Sequence, residues 1–265
     1  MPTMPAPDPA ATAVITGASS GLGVDIAREL ASRGYGVTLV ARREGKLREV
    51  ADELATAHGI RAEVLACDLM DADARAELPG RVTERGLRAD LLVNNAGFDQ
   101  PGRFLTTEAD RQVEMTRIFC ETTVALCHAF GTPMAQRRSG AILIVSSSSG
   151  FQPLPNDAVY GASKAFQNSF ADALHAELRR DGVAVTALCP GPLPTPFVEV
   201  SGPHPAHNTI PKFMWVSSAK AAAAGIDGLV AGKRVVVPGP MRAVVASGRF
   251  APRGLQLRVF ARFFR

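Results

Sequence analysis

Aromatic side chains are scarce in this chain, at 6% of 265 residues, with one Trp and two Tyr. Cysteine is sparser still. Its four copies (Cys67, Cys120, Cys127, Cys189) form no C-x-x-C pair and fall in apolar surroundings. That argues against a disulfide framework and for buried, reduced thiols, as in a cytoplasmic protein. No apolar run approaches the roughly 18 residues that a membrane span requires. The opening MPTMPAPDPAA has neither a basic region nor an apolar stretch, so no secretory signal is expected there. Histidine is limited to five, and His204 and His207, set among Pro and Gly, read as exposed loop residues rather than metal ligands. A net charge of +4 with no recognition motif gives no reason to expect nucleic acid.

Against that sparse background Tyr160 and Lys164 stand out, four residues apart in YGASK. On a helix such residues share a face, which brings an ammonium close to a phenol. A free phenol titrates near pH 10, and a neighbouring cation favours the phenolate. The pair therefore suits proton transfer to or from an alcohol oxygen. A second pattern opens the chain. Ala13–Thr16 reads as a buried strand, followed by the turn Gly17-Ala18-Ser19-Ser20-Gly21-Leu22-Gly23 and an apolar-periodic helix over Val24–Ser32. A glycine turn between strand and helix lets backbone N–H groups approach a pyrophosphate, and the helix N-terminus adds partial positive charge.

The next strand, Val37–Ala41, ends in Arg42-Arg43, before a helix expected over Glu44–Ala57. An NAD site would place an acid there, roughly twenty residues after the glycines, for the ribose 2′-hydroxyl. Arginines suit a 2′-phosphate instead, and so NADP(H). Arg42 is the preferred residue because it follows the strand directly.

Further strands read at Arg61–Ala66, Asp90–Val93, Ala141–Val145, Val183–Leu188 and Arg234–Val237, alternating with helical patterns. The alternation predicts an α/β fold, a doubly wound Rossmann sheet of about seven parallel strands with helices on both faces. At 46% hydrophobic the chain can form one large core. Residues 1–10 read as a loose tail and 11–265 as a single catalytic domain.

In order, the chain carries TGASSGLG from Thr16, CDL with Asp68, NNAG from Asn94, a serine run at Ser146–Ser149, YGASK from Tyr160 and PGPLPT from Pro190. This series resembles the short-chain dehydrogenase/reductase family, from Ala13 to about Gly239. The resemblance implies that Asp68 bonds the adenine beside the Leu69 backbone. Asn94, Asn95, Ala96 and Gly97 would support the sheet and the cofactor ribose. Ser147, thirteen residues before Tyr160, would bind the substrate oxygen, with Ser146 and Ser148 as alternatives. Tyr160 would be the acid/base, while Lys164 holds the nicotinamide ribose. Pro190, Gly191 and Thr195 would border the nicotinamide and pyrophosphate, and residues 192–216 would form a substrate lid. A homodimer or homotetramer is implied, built on the long helices from Glu108 and Ala158.

One departure stands out. Where the family commonly has an asparagine that binds a relay water, this chain has Phe119, or Cys120 if the register slips by one. The segment from Arg249 to Arg265 is basic and amphipathic, without acids. It is expected to pack Leu257, Val259, Phe260 and Phe263 on the body or a partner subunit, membrane contact being the alternative. Phe98–Phe104, Phe151–Asp157 and the lid, with Phe197, Phe213 and Trp215, favour an apolar or aromatic substrate. The expected activity is NADP(H)-dependent interconversion of a ketone or aldehyde and its alcohol. The alternatives are a nucleotide-binding regulator or scaffold, or an isomerase or dehydratase on the same fold.

Overall fold

The computed structural model describes residues 2–195, 210–248 and 252–263. Seven strands form one sheet: β1 (Ala11–Thr16), β2 (Val37–Ala41), β3 (Ala62–Ala66), β4 (Arg88–Asn94), β5 (Gly140–Val145), β6 (Val183–Leu188) and β7 (Val235–Val236). Their order is β3-β2-β1-β4-β5-β6-β7, and all six pairings are parallel. In the centre, β1, β5 and β6 are buried along their whole length. Such strands read as unbroken apolar runs because both faces are covered.

Side chains alternate between the two faces. Ala13, Ile15, Leu91, Val93, Leu143 and Val145 pack with Ile26 and Leu30 of α1 (Leu22–Ser32), Leu47 and Leu54 of α2 (Glu44–His58) and Ile226 of α7 (Ser218–Val230). The intervening Val14, Leu92, Ile142 and Ile144 turn to the other side. There they meet Leu78 of α3 (Ala72–Thr83), Leu126 and Phe130 of α5 (Thr122–Gln136) and Ala171 of α6 (Ala158–Leu178). Helix α4 (Ala109–Thr116) runs into α5 through a π-helical turn at Arg117–Glu121. Helices α8 (Met241–Gly248) and α9 (Arg253–Phe263) complete the described chain.

The chain leaves β1 toward β2 and β3, then returns to place β4 on the opposite side of β1. The loops after β1 and β4 therefore diverge and leave a crevice at the carboxyl ends of the strands. No helix among the described residues is long and apolar enough to cross a membrane.

Two expectations change at the chain ends. Residues 1–10 are not a loose tail where they are described. Met4 is buried, the Tyr35 hydroxyl donates to the Pro5 carbonyl at 2.6 Å, and Arg88 pairs with Asp8 at 2.8 Å. A Pro/Ala-rich composition suggests disorder only while these tertiary partners are unseen. In α9, Leu257 remains 46% exposed rather than packed on the body. The side chains of Val259, Phe260 and Phe263 lie outside those described.

Candidate active site

The glycine turn is pressed against the end of β4. At Gly17, with φ +67°, an added Cβ would lie 2.8 Å from the Ala96 Cα and 2.9 Å from the Asn95 Nδ2. Asn95 is what joins the two segments. Its side-chain amide donates to the Thr16 carbonyl at 2.9 Å, and its backbone N–H donates to the Thr16 hydroxyl at 2.9 Å. Asn94 instead faces the core, donating to the Cys127 sulfur at 3.2 Å. Gly21 stands at the N-cap of α1 and offers no side-chain cap, which leaves the helix's first N–H groups facing outward for an anion.

Arg43 reaches back over the turn, donating to the Ser19 and Ser20 hydroxyls at 2.9 and 3.0 Å. Arg42, preferred from the sequence, is exposed at the strand end. The close backbone approach, the uncapped helix and the arginine beside two hydroxyls together fit a phosphate-bearing dinucleotide.

At the end of β5 the serines take separate duties. Ser146 donates to the Lys164 carbonyl at 3.0 Å, and the Ser148 N–H donates to the Pro190 carbonyl at 2.9 Å. Ser147 accepts from the Ser149 N–H at 3.0 Å and shares a hydrogen bond with the Tyr160 hydroxyl. Of the three, Ser147 is thus the one joined to the phenol. One helical turn on, the Lys164 ammonium donates to the Val145 carbonyl at 3.0 Å and to Gln167 Oε1 at 2.9 Å.

The register at the departure is the first of the two weighed. The Phe119 ring lies edge-on to Tyr160, with centroids 5.6 Å apart, and its face covers the Lys164 ammonium at 3.9 Å. It fills its space so fully that a Cβ on Gly97 would meet Phe119 Cε1 at 2.1 Å.

The expected lowering of the Tyr160 pKa by Lys164 is reversed in this structure. Burial pushes the phenol well above its ordinary range, Asp99 adds to the rise, the Ser147 hydrogen bond opposes it and Asp157 raises it further. Lys164 is pushed down to about 7 by burial, against opposing contributions from Cys189, Asp99 and Cys120. A buried ammonium loses much of the charge needed to draw a proton from its neighbour.

Several side chains that motif spacing does not flag complete the site. Asp99 and Asp157 are both buried and hydrogen-bonded to each other, with burial raising Asp157 to about 7. Their two loops are joined by the Gly102 N–H donating to the Asn156 carbonyl at 2.7 Å. Gln167 and Thr123 continue the contacts of Lys164. The signal for Gln167 was its place seven residues after Tyr160 and three after Lys164, on one helix face.

The remaining expected residues lie on the neighbouring strand ends and loops. Asp68 is exposed at the end of β3, accepting from the Met70 N–H at 3.0 Å. The Leu69 carbonyl is engaged by Arg75 at 2.8 Å. Pro190, Gly191 and Thr195 lie on the segment leaving β6. Of the lid, 196–209, with Phe197, His204 and His207, lie outside the described residues. The flanking parts approach each other, the Val216 N–H donating to the Pro192 carbonyl at 3.4 Å.

Residues 11–205 match the family model for short chain dehydrogenases. The chain belongs to the short-chain dehydrogenase/reductase family. Among curated relatives of this family, a probable oxidoreductase, EphD, of Mycobacterium tuberculosis is 35% identical over 191 residues, covering 72% of this chain and 32% of that protein. A very-long-chain 3-oxoacyl-CoA reductase of Pyricularia oryzae is 39% identical over 177 residues, covering 65% of this chain and 53% of that protein. The chain therefore spans about a third and about half of those two relatives. A short-chain dehydrogenase from Sphingobium yanoikuyae, solved in complex with NADPH, superposes with a TM-score of 0.81 at 29% identity, covering 92% of this chain and 94% of that one.

Proposed function

We propose that this member of the family is an NADP(H)-dependent oxidoreductase interconverting a ketone or aldehyde and its alcohol. The observation that carries this reading is the hydrogen bond between Ser147 and Tyr160, with Lys164 one helical turn further along. When bound, the nicotinamide would supply or accept the hydride. The Tyr160 hydroxyl gives its proton to the carbonyl oxygen in reduction and takes it back in oxidation. Ser147 fixes that oxygen beside the phenol. Lys164 lends positive charge to Tyr160 when it is protonated, a state that burial draws down to a midpoint of about 7. The glycine turn, Asn95–Gly97 and the start of α1 would hold the pyrophosphate and ribose.

Arg43, already lying over Ser19 and Ser20, supports a 2′-phosphate and so NADP(H), with Arg42 beside it. The NADPH found with the Sphingobium neighbour agrees with that choice. Phe151, with Phe213 and Trp215 on the segment expected to cover the substrate, favours a ketone with an apolar flank, as does the name of the Pyricularia relative. The regulator reading draws on Phe119 alone, since Ser147, Tyr160 and Lys164 are all present.

The test is consumption of NADPH, with NADH alongside, by protein offered a panel of ketones and aldehydes. Tyr160→Phe should abolish turnover, a loss of roughly 10²–10⁴-fold or more, and leave NADPH binding intact. Tight NADPH binding with no turnover on a broad panel would favour the regulator.

A further inference from the structure

We propose that Gln167 is a positioning residue for Lys164, supplying from the lysine's own helix the side-chain hold on the ammonium that Phe119 cannot give. The inference rests on the reading of Tyr160 as acid/base, and it concerns residues that no part of that reading assigns. An ammonium has three N–H donors. Two are committed, to the Val145 carbonyl at 3.0 Å and to Gln167 Oε1 at 2.9 Å, while the Phe119 ring covers the group at 3.9 Å. Phe119 offers a π face but no lone pair.

The orientation of the Gln167 amide follows from its neighbours. Its oxygen must face an ammonium that can only donate, so its nitrogen faces away, donating to the Thr123 hydroxyl at 2.9 Å. Thr123 is on α5, so the same amide that holds Lys164 also fastens α6 to α5. Gln167 and Thr123 are each 2% exposed and Lys164 is 4% exposed, so water does not readily replace a lost partner. A buried polar side chain with both ends of its amide used, three residues from the lysine, is more than incidental packing.

The titratable groups acting on the ammonium are Asp99 after β4, Cys120 in the π-helical turn, Cys189 after β6 and the Tyr160 ring on α6, with Asp157 at the start of α6 acting on Tyr160. None of them replaces the Gln167 carbonyl, whose acceptance favours the charged lysine. Removing that acceptor therefore lowers the pH at which Lys164 loses its proton. Tyr160 then becomes harder to ionise, and the limb of the turnover profile that requires its phenolate moves to higher pH.

The direct measurement is the Lys164 titration midpoint by carbon NMR of Cε-labelled lysine, with the signal identified by its loss in Lys164→Ala. The chain has few lysines to resolve. In Gln167→Met the midpoint should fall by about one pH unit or more. In Gln167→Glu, which keeps the acceptor and adds charge, it should rise above the wild type. NADPH binding should change little in either.

Should neither variant fold, Thr123→Val, which frees the amide, should lower the midpoint by a smaller amount. A midpoint unmoved by these variants overturns the proposal. Because the readout needs no turnover, the two readings fail separately. Moving midpoints without carbonyl reduction would sink the proposed activity alone, and reduction with an immovable midpoint would sink the role of Gln167 alone.

Discussion

Replacing Asp157 by asparagine should stabilise the free protein increasingly from about pH 4 upward, and fully above about pH 7. Asp157 is 5% exposed, and burial raises its carboxyl from an ordinary 3.8 to about 7, against a lowering by its hydrogen bond to Asp99. Below about pH 4 the group is protonated whether the chain is folded or not, and it costs nothing. From there to about pH 7 the folded state must keep a proton that the unfolded chain releases, so stability falls as pH rises. Above about pH 7 the folded carboxyl ionises too and the loss levels off.

A shift of roughly three units at ~1.4 kcal/mol each sets an upper bound of about 4 kcal/mol on that loss. Asparagine keeps the shape, can donate to Asp99 through its amide and has no proton to lose. Thermal unfolding followed by circular dichroism across this range should show the variant gaining on the wild type with increasing pH. At about pH 8 its Tm should be higher by several degrees, with a ceiling of about 8–16 °C, taking roughly 2–4 °C per kcal/mol for a chain of this size. At about pH 4 the two should melt together. Equal Tm values at about pH 8, or a gap of constant size at every pH, would refute the reasoning.

Two more outcomes follow from the geometry. Arg43→Ala should reduce affinity for NADPH by about 10–100-fold while leaving NADH nearly unchanged, if Arg43 serves the 2′-phosphate as proposed; binding titrations with both nucleotides would detect a uniform loss, which would deny Arg43 that role. Gly97→Ala places a methyl group 2.1 Å from Phe119 Cε1 and should destabilise by about 1–3 kcal/mol. Denaturant unfolding should show part of that loss recovered when Phe119→Leu is added, and full additivity of the two changes would contradict the clash.

The central sheet was legible because its strands are buried on both faces and so appear as unbroken apolar runs. The edges were less so. RVVV suggested a strand over Arg234–Val237, yet only Val235–Val236 pairs, since β7 has a neighbour on one side alone. Motif order located the glycine turn, the serine and the tyrosine–lysine pair. Their electrostatics could not be read that way, because the Tyr160 pKa depends on how deeply the phenol is buried and on Asp99, 61 positions earlier in the chain. Sequence position favoured Arg42, which follows β2 directly, whereas the path of the chain after β2 turns Arg43 over Ser19 and Ser20.

The π-helical turn between α4 and α5 bears on how this rod could change length. Such a turn holds one residue more than regular winding needs, and Phe119 sits in its middle. A one-residue deletion inside Arg117–Glu121 would restore an unbroken α-helix, gaining hydrogen-bond regularity where most deletions lose it. The faces that α4 and α5 present would keep their phase, because the bulge already absorbs the extra residue, and the change would fall on the turn itself, where the Phe119 ring now covers Lys164. The rod thus holds a spare residue at the one turn whose ring lies against both Lys164 and Tyr160, so regularising the helix would act on the site and leave the packing of α4 and α5 in register.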